Sequence, residues 1–579
     1  MNPMIQSITN EFAAANNFST LDVSTQFEYL VNYLAVLENF TGTFDIASIS
    51  TGQKEFGIDG IAITVTGSLV QDSDEIDDIL NAPSKSYLDV QFIVIQSKSG
   101  ANFDSGDIAK TFAAAYDFFT PGQLIQGEVI EAAREIKDQL YMHPGRFRPN
   151  VPLLKIYYAT TGEWTGDQNL IAIANQGKQK LDALGIFRDI QFIPLDRTQI
   201  RDSYYASLRS DTATLKFKER VSLPSVQGVK PSYLGYVRGQ DLVDIVNNNG
   251  KIKEHLFFDN MRDFQDGSRA NSEIENTLQS SNKHEFILLN NGITIVCKKL
   301  TQSGDDFVLE DFQIVNGCQT THVLFNNKNH LNESIFVPIR IICVDDEGIV
   351  NRIIRGTNTS NSFDDTQLWA TDDFHKLLET FFNQTSSNVP KLAYERRKGQ
   401  HRANQSVPKS RVVDPKSLLK AASAIYDRDP QDATKYVSRL YPKVGKQLFR
   451  SGQRLYCYYV AALLDSTFSE LVQTKRLPKD LRPCRYHMIM AVKLLFDQTT
   501  GPDSNVNAEK ALAPLVSEMG NLDNAAATFA FVEAEVRAYA KAQGEARLSR
   551  LAKMVGLRDH MLTWATSGVC HVRMKPTQP

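Results

Sequence analysis

Asp59, Gln96 and Lys98 are the residues whose types and spacing suit chemistry. Asp59 stands near the start of the apolar run IDGIAITVTGSLV, and Gln96-Ser97-Lys98 end the apolar run FIVIQSK. A lysine beside a core costs free energy unless it is paired or working. If the two runs pair as an antiparallel hairpin about the acidic connection QDSDEIDDILNAPSKS, the midpoint of Asp59 and Ser97 falls at residue 78, inside that connection. Asp59 then lies across from Gln96 to Lys98, and the two-residue alternation of a strand puts Gln96 and Lys98 on one face. A carboxylate, an amide oxygen and a further carboxylate can hold Mg²⁺, which prefers oxygen ligands. The lysine can position water and stabilise charge developing on a phosphate. That is a plan for metal-assisted phosphodiester hydrolysis.

The elements that must position these groups follow an α/β pattern. Apolar strands YLDVQFIVIQ, VPLLKIYYAT and DIQFIPL alternate with the helical stretches DIAKTFAAAYDFF and DQNLIAIANQGKQKLDALG across residues 1–215. Residues 216–232, with two prolines and no sustained periodicity, read as a linker. Strands predominate over 233–405, an α+β region, and residues 406–579 read as mostly helix, as in YYVAALLDSTFSELVQ. The acidic stretch 72–78 reads as solvated.

Composition narrows the class. A chain of 579 residues is too long for one core, and its 42% hydrophobic and 22% charged residues are ordinary for a soluble protein. The net charge of -4 leaves polyanion binding to local patches. Six scattered cysteines without CxxC pairs suit a reducing cytosol. No signal peptide is visible and no stretch approaches the ~18 apolar residues of a membrane span. A cytoplasmic protein with no membrane partner is expected.

Gly57-Ile58-Asp59 followed by a strand ending Gln96-Ser97-Lys98 resembles the PD-(D/E)xK nuclease superfamily, and within it the Mrr-type restriction endonucleases. The resemblance implies a restriction-endonuclease-like N-terminal domain with Asp59 as metal ligand, Gln96 in the second ligand position and Lys98 as catalytic lysine. Gln96 in place of an acid removes one negative charge, so another carboxylate must compensate. Mrr-type enzymes carry a glutamate on their first helix. Here Glu28 matches it, flanking the stripe Phe27, Leu30, Val31, Leu34 and Leu37. Thr25-x-x-Glu28 fits a capping box as well, so both roles stand open.

The middle region carries FFDNMRDFQDGSRANSEIENTL, FILLNNGITIVC, QIVNGCQTTHVLF, IIRGTNTSNSF and YERRKGQ in that order. Together they resemble the AIPR family, the abortive-infection phage-resistance proteins of bacteria, over about residues 233–405. Asn291-Gly292 reads as a hairpin turn. Asn316-Gly317 reads as a strand–turn–helix whose free N–H groups could take an anion, with Arg262, Arg340 or Arg355 completing it; Asn316 capping the helix is the plainer reading. The run RRKGQHRANQSVPKSR offers Arg396, Arg397, Lys398 and Arg402 to a phosphate backbone.

These readings converge on a Mg²⁺-dependent DNA endonuclease in antiphage defence, with Mn²⁺ able to substitute. RNA stays open as a substrate. The alternative is a nuclease fold without chemistry, serving as a nucleic-acid or nucleotide sensor. A homo-oligomer formed through the C-terminal helices, or a phage component or nucleotide as trigger, is expected to restrain the enzyme.

Overall fold

Runs rich in isoleucine, valine and aromatic residues form five strands: Gly60–Val65 (β1), Ser68–Val70 (β2), Val90–Lys98 (β3), Leu153–Thr160 (β4) and Asp189–Leu195 (β5). They build one sheet in the order β2-β1-β3-β4-β5. The structure is a computed structural model. It describes all residues except 41, 52–55, 82–87, 123, 125, 126, 148–150, 209–211, 249, 250, 258–268, 345, 347, 348, 351, 354, 355, 357–372, 386–388, 397, 398, 402, 403, 405, 436, 546 and 568–579.

β1 pairs antiparallel with both β2 and β3, while β3, β4 and β5 run parallel. Parallel strands need crossovers, and these put helices on both faces. One face is covered by Ser105–Phe119 (a helix after β3), Glu128–Tyr141 and Gln168–Asp182, whose apolar residues pack with Phe92 and Val94. The other is covered by Pro3–Ala15, Val23–Leu37 and Arg197–Ser207, which pack with Ile93 and Ile95. The alternation along β3 thus divides its side chains between two cores. The run from Ile58 to Val70 is not one strand, as the sequence suggested: Thr66 and Gly67, at φ 50° and 75°, turn the chain into a tight hairpin.

A second sheet of six strands joins Thr212–Lys216 (β6), Glu219–Ser222 (β7), Tyr233–Arg238 (β8) and three later strands. With Asn247–Asn248 (β9) and Lys251–Ile252 (β10) forming a separate short ribbon, the later strands are Ile293–Ser303 (β11), Asp306–Asn316 (β12) and Phe336–Cys343 (β13). The order is β6-β12-β11-β13-β8-β7. Residues 216–232, read as a linker, therefore contribute an edge strand, β7, paired to β8. Asn291-Gly292 does not make a hairpin: Phe286–Leu289 is a short helix capped by Asn290, and the turn leads into β11.

The chain divides into two compact units, Arg209–Asp364 on one side and Met1–Leu208 with Asp365–Pro579 on the other. The helical C-terminal region and the N-terminal sheet are thus parts of one unit. Helix Leu455–Gln473, buried at nearly every position, is central to its helical core. The two parts are tied by Lys416 to Glu75 (2.6 Å), Arg482 to Asp45 (2.6 Å), Lys553 to Asp74 (2.7 Å) and Thr43 Oγ1 to Glu395 (2.6 Å). The acidic stretch 72–78 falls in helix Asp74–Asn81 and its approach, where Lys416 holds Glu75 and Lys553 holds Asp72 and Asp74.

Candidate active site

β1 and β3 are antiparallel neighbours rather than a hairpin, since β2 and helix Asp74–Asn81 come between them in the chain. Their register places Gly60 opposite Ile95 and so Asp59 opposite Gln96, and the Asp59 N–H donates to Ile95 O at 2.8 Å. Gly57 makes this strand entry workable. Its φ is +71°, and a Cβ there would lie 2.8 Å from Lys110 O, so only glycine fits the close approach.

Asp59 Oδ2 accepts three hydrogen bonds: from Gln96 Nε2 at 2.7 Å, Ser97 N at 2.8 Å and Ser97 Oγ at 3.0 Å. The carboxylate is therefore oriented by the strand end itself. Because Gln96 turns its amide nitrogen to the carboxylate, its Oε1 points elsewhere, and it is buried without a hydrogen-bond partner among the described residues. Burial raises the Asp59 pKa, and the Ser97 hydrogen bonds, the Lys98 charge and Gln96 oppose it. Lys98 itself is held at 3.4 Å by Asp107 from the first turn of Ser105–Phe119.

Glu28 lies on helix Val23–Leu37 and is buried. The capping-box reading of it fails. Asp22 is the N-cap, accepting from Thr25 N at 3.0 Å and from Thr25 Oγ1 at 2.6 Å, so Thr25 lies inside the helix. The helix is buried on all sides from Thr25 to Leu37, because the sheet covers one side and the C-terminal region the other, where Tyr29 OH donates to Gln473 O at 3.2 Å. Burial, then the Asp59 charge, push Glu28 well above the usual carboxylate range, while Lys479 and Lys475 pull it back. Glu28 Oε1, like Gln96 Oε1, is buried and takes no hydrogen bond among the described residues.

Lys479 enters from the C-terminal region. Its Nζ donates to Ser50 O at 3.0 Å, Ser50 Oγ accepts from Asn32 Nδ2 at 2.8 Å, and the same amide nitrogen reaches Asp59 O at 3.2 Å. Burial lowers the Lys479 pKa and Glu28 opposes it, so the two groups attract across a partly dry space.

Buried oxygen acceptors without donors are costly, and oxygen atoms are what a hard divalent cation takes. Asp59, Gln96 and Glu28 each bring such an oxygen, but Gln96 turns its Oε1 away from Asp59, and Glu28 comes from the helix that packs with Ile93 and Ile95. Among the described residues no group of three or more His, Cys, Asp or Glu is placed to hold a metal ion. Sequence reasoning singled out Asp59, Gln96, Lys98 and Glu28, and the structure joins Gln96 to Asp59. It passed over Ser97, which lies within the motif, and Asp107, which begins the next helix. It had no signal for Lys479, some 450 residues away.

The other expected sites fare differently. Arg396 is not open to a phosphate backbone: it is buried and its Nε donates to Glu379 at 2.7 Å. Lys409 and Arg411 of the same run bond His401 O at 2.9 Å and Glu470 at 3.0 Å. Arg397, Lys398 and Arg402 lie outside the described residues, as do Arg262 and Arg355. Asn316 ends β12, and the helix cap is Gly317, at φ +93°, ahead of Cys318–Asn326. Asn316 therefore does not cap that helix. Asn316 and Arg340 are both aligned with Thr294, on β12 and β13 either side of it, so they share a sheet face about two strand spacings, ~10 Å, apart.

Comparison with known proteins identifies one region. Residues 257–543 match the family model of the AIPR protein, about half of the chain. This stretch carries an AIPR region, and it reaches well past residue 405, where the sequence motifs ended, through the helical part that contains Lys475 and Lys479. No curated protein and no solved structure matches the chain.

Proposed function

We propose that the chain is a metal-dependent endodeoxyribonuclease of antiphage defence, with its N-terminal sheet cutting DNA and its AIPR region controlling that site. The AIPR match supports the defence setting. The observation that carries the chemistry is the Asp59 carboxylate held by Gln96 and Ser97 at the end of the strand that also carries Lys98.

Asp59, Gln96 and Glu28 would hold Mg²⁺ or Mn²⁺. When bound, the cation supplies charge stabilisation at the phosphate and makes water more acidic. Ser97 keeps Asp59 in place, and Asp107 keeps Lys98 extended toward the open strand end. Lys98 then donates to a phosphate oxygen or to the attacking water. Restraint of the enzyme by self-association, or by a phage or nucleotide trigger, belongs to the same reading.

A second reading, nucleic-acid binding without cleavage, is favoured by the three internal hydrogen bonds already on Asp59 Oδ2. Incubation of supercoiled DNA and of RNA with Mg²⁺, Mn²⁺ or chelator separates the two. Nicking or linearisation that needs metal supports the nuclease, and binding without any cutting supports the sensor.

A further inference from the structure

We propose that the cleft at the carboxyl ends of β3 and β4 is a nucleobase subsite, one that takes the base of an unpaired nucleotide flanking the phosphate presented to Lys98. The proposal rests on the nucleic-acid substrate of the reading above, but not on cleavage.

β3 and β4 are parallel, with Lys98 and Thr160 in register at their ends, so the loops that follow leave the sheet together. Such crevices beyond the carboxyl ends of parallel strands are where α/β sheets receive ligands. The two loops bound a cleft of about 220 Å³ lined by Asn102, Phe103, Glu163, Trp164 and Thr165. They are fastened to each other: Thr161 N and Oγ1 each donate to Gly100 O at 3.0 Å. A Cβ on Gly162 would lie 1.7 Å from Ala101 O, so the loops approach as closely as glycine permits.

The aromatic pair is fixed on its buried side. The rings of Phe103 and Trp164 meet edge-to-face at 4.8 Å and Trp164 packs on Phe192 at 6.1 Å, while the Trp164 backbone N–H donates to Asp196 at 3.2 Å. Both rings remain half-buried, leaving part of each to the cleft. Asn102 and Thr165, exposed at the rim, present an amide and a hydroxyl that take no hydrogen bond among the described residues. Glu163 pairs with Arg197 at 2.5 Å on the exposed rim, which offsets part of its charge.

An indole to stack on, with amide and hydroxyl groups at the edge, is the chemistry that reads an unpaired base. Asn102 lies four positions after Lys98 in the chain, at most ~14 Å of extended chain away. A strand lying along this sheet edge covers that within a few nucleotides. A base taken from a duplex would have to be extruded first.

The test uses full-length protein and a single-stranded DNA 12-mer carrying 5-iododeoxyuridine at one position at a time, with Ca²⁺ to suppress cutting. Photocrosslinking should attach one position of the oligonucleotide to residues 101–103 or 164–165, in wild type and in Asp59→Ala alike. Crosslinks confined to other residues, or none, overturn the subsite. In equilibrium binding, Trp164→Ala should weaken the 12-mer by roughly 5- to 100-fold, the worth of one base–aromatic stack. Trp164→Phe should restore most of the loss, and removing the base at the crosslinked position should abolish the difference between wild type and Trp164→Ala. Equal binding by wild type and Trp164→Ala overturns the proposal. Crosslinking without any cleavage would leave the subsite standing while the nuclease reading fell, and cleavage without crosslinking here would do the reverse.

Discussion

Ser97 donates both its backbone N–H and its hydroxyl to one oxygen of Asp59, at 2.8 and 3.0 Å. A single residue thus orients the carboxylate from two directions, and only the hydroxyl is removable by mutation. Ser97→Ala is expected to lower the cleavage rate about 3- to 30-fold through kcat, since a hydrogen bond to a charged group is worth about 1.5–3 kcal/mol and two of the three remain. Steady-state kinetics checks this; an unchanged kcat would show that Gln96 and the backbone alone suffice.

Lys479 and a divalent cation are both positive charges directed at Glu28, so they compete. Lys479→Gln is expected to tighten Mn²⁺ binding by roughly 3- to 10-fold, the scale of a partly screened charge pair. Calorimetric titration of wild type and variant measures it. Weaker binding in the variant would mean that Lys479 supports the site rather than restraining it. A gain would show the AIPR region acting directly on the N-terminal site.

Much of this arrangement was legible from residue types, and the illegible part has a physical cause. The antiparallel pairing of β1 with β3 was legible from the two apolar runs, but their midpoint put Asp59 opposite Ser97, one residue from the register formed, in which Gly60 faces Ile95. Ser97 was passed over because alternation directs its side chain away from Gln96 and Lys98, whereas Asp59 at the strand end reaches both faces. The Thr66-Gly67 turn was hidden inside a continuous apolar run. Lys479 and the clasp of Glu75 by Lys416 are contacts between distant segments, which no local pattern encodes. Arg396 misled for the same reason: a basic run shows charge but not that Glu379 waits for it.

Arg396 and Glu379 form a pair that is nearly dry on the arginine side, with 2% of that side chain exposed. Arg396→Ala should cost about 2–4 kcal/mol of stability by stranding Glu379. It should leave the salt dependence of DNA binding unchanged, because no phosphate contact is lost. Denaturant unfolding and binding at several salt concentrations check the two halves. A shallower salt slope would restore Arg396 to the nucleic-acid interface.

Two carboxylates give opposite pH signatures to stability. Burial would raise Glu75, but Lys416 and Lys420 outweigh it and hold its pKa at about 2, below the ordinary 4.5. A depressed folded pKa gives stability that is present above about 4.5 and lost as pH falls through about 2. Glu395 is raised by burial to about 7, against hydrogen bonds from Thr43 and His401. Its contribution is present below about 4.5 and lost as pH rises through about 7. Glu75→Gln should therefore flatten the acid limb of a stability profile, and Glu395→Gln the limb between about 4.5 and 7. Thermal melts from about pH 2 to about pH 7 decide, and an unaltered acid limb in Glu75→Gln or an unaltered upper limb in Glu395→Gln would contradict the assignment.

The central claim is that Asp59 and Lys98 perform metal-dependent phosphodiester hydrolysis. The most direct measurement is plasmid cleavage in Mg²⁺ or Mn²⁺ by wild type, Asp59→Asn and Lys98→Ala, each checked for folding by its melting curve. Wild type should cut only with metal present, and both folded variants should lose at least about 100-fold of that activity. Equal cutting by all three proteins would contradict it.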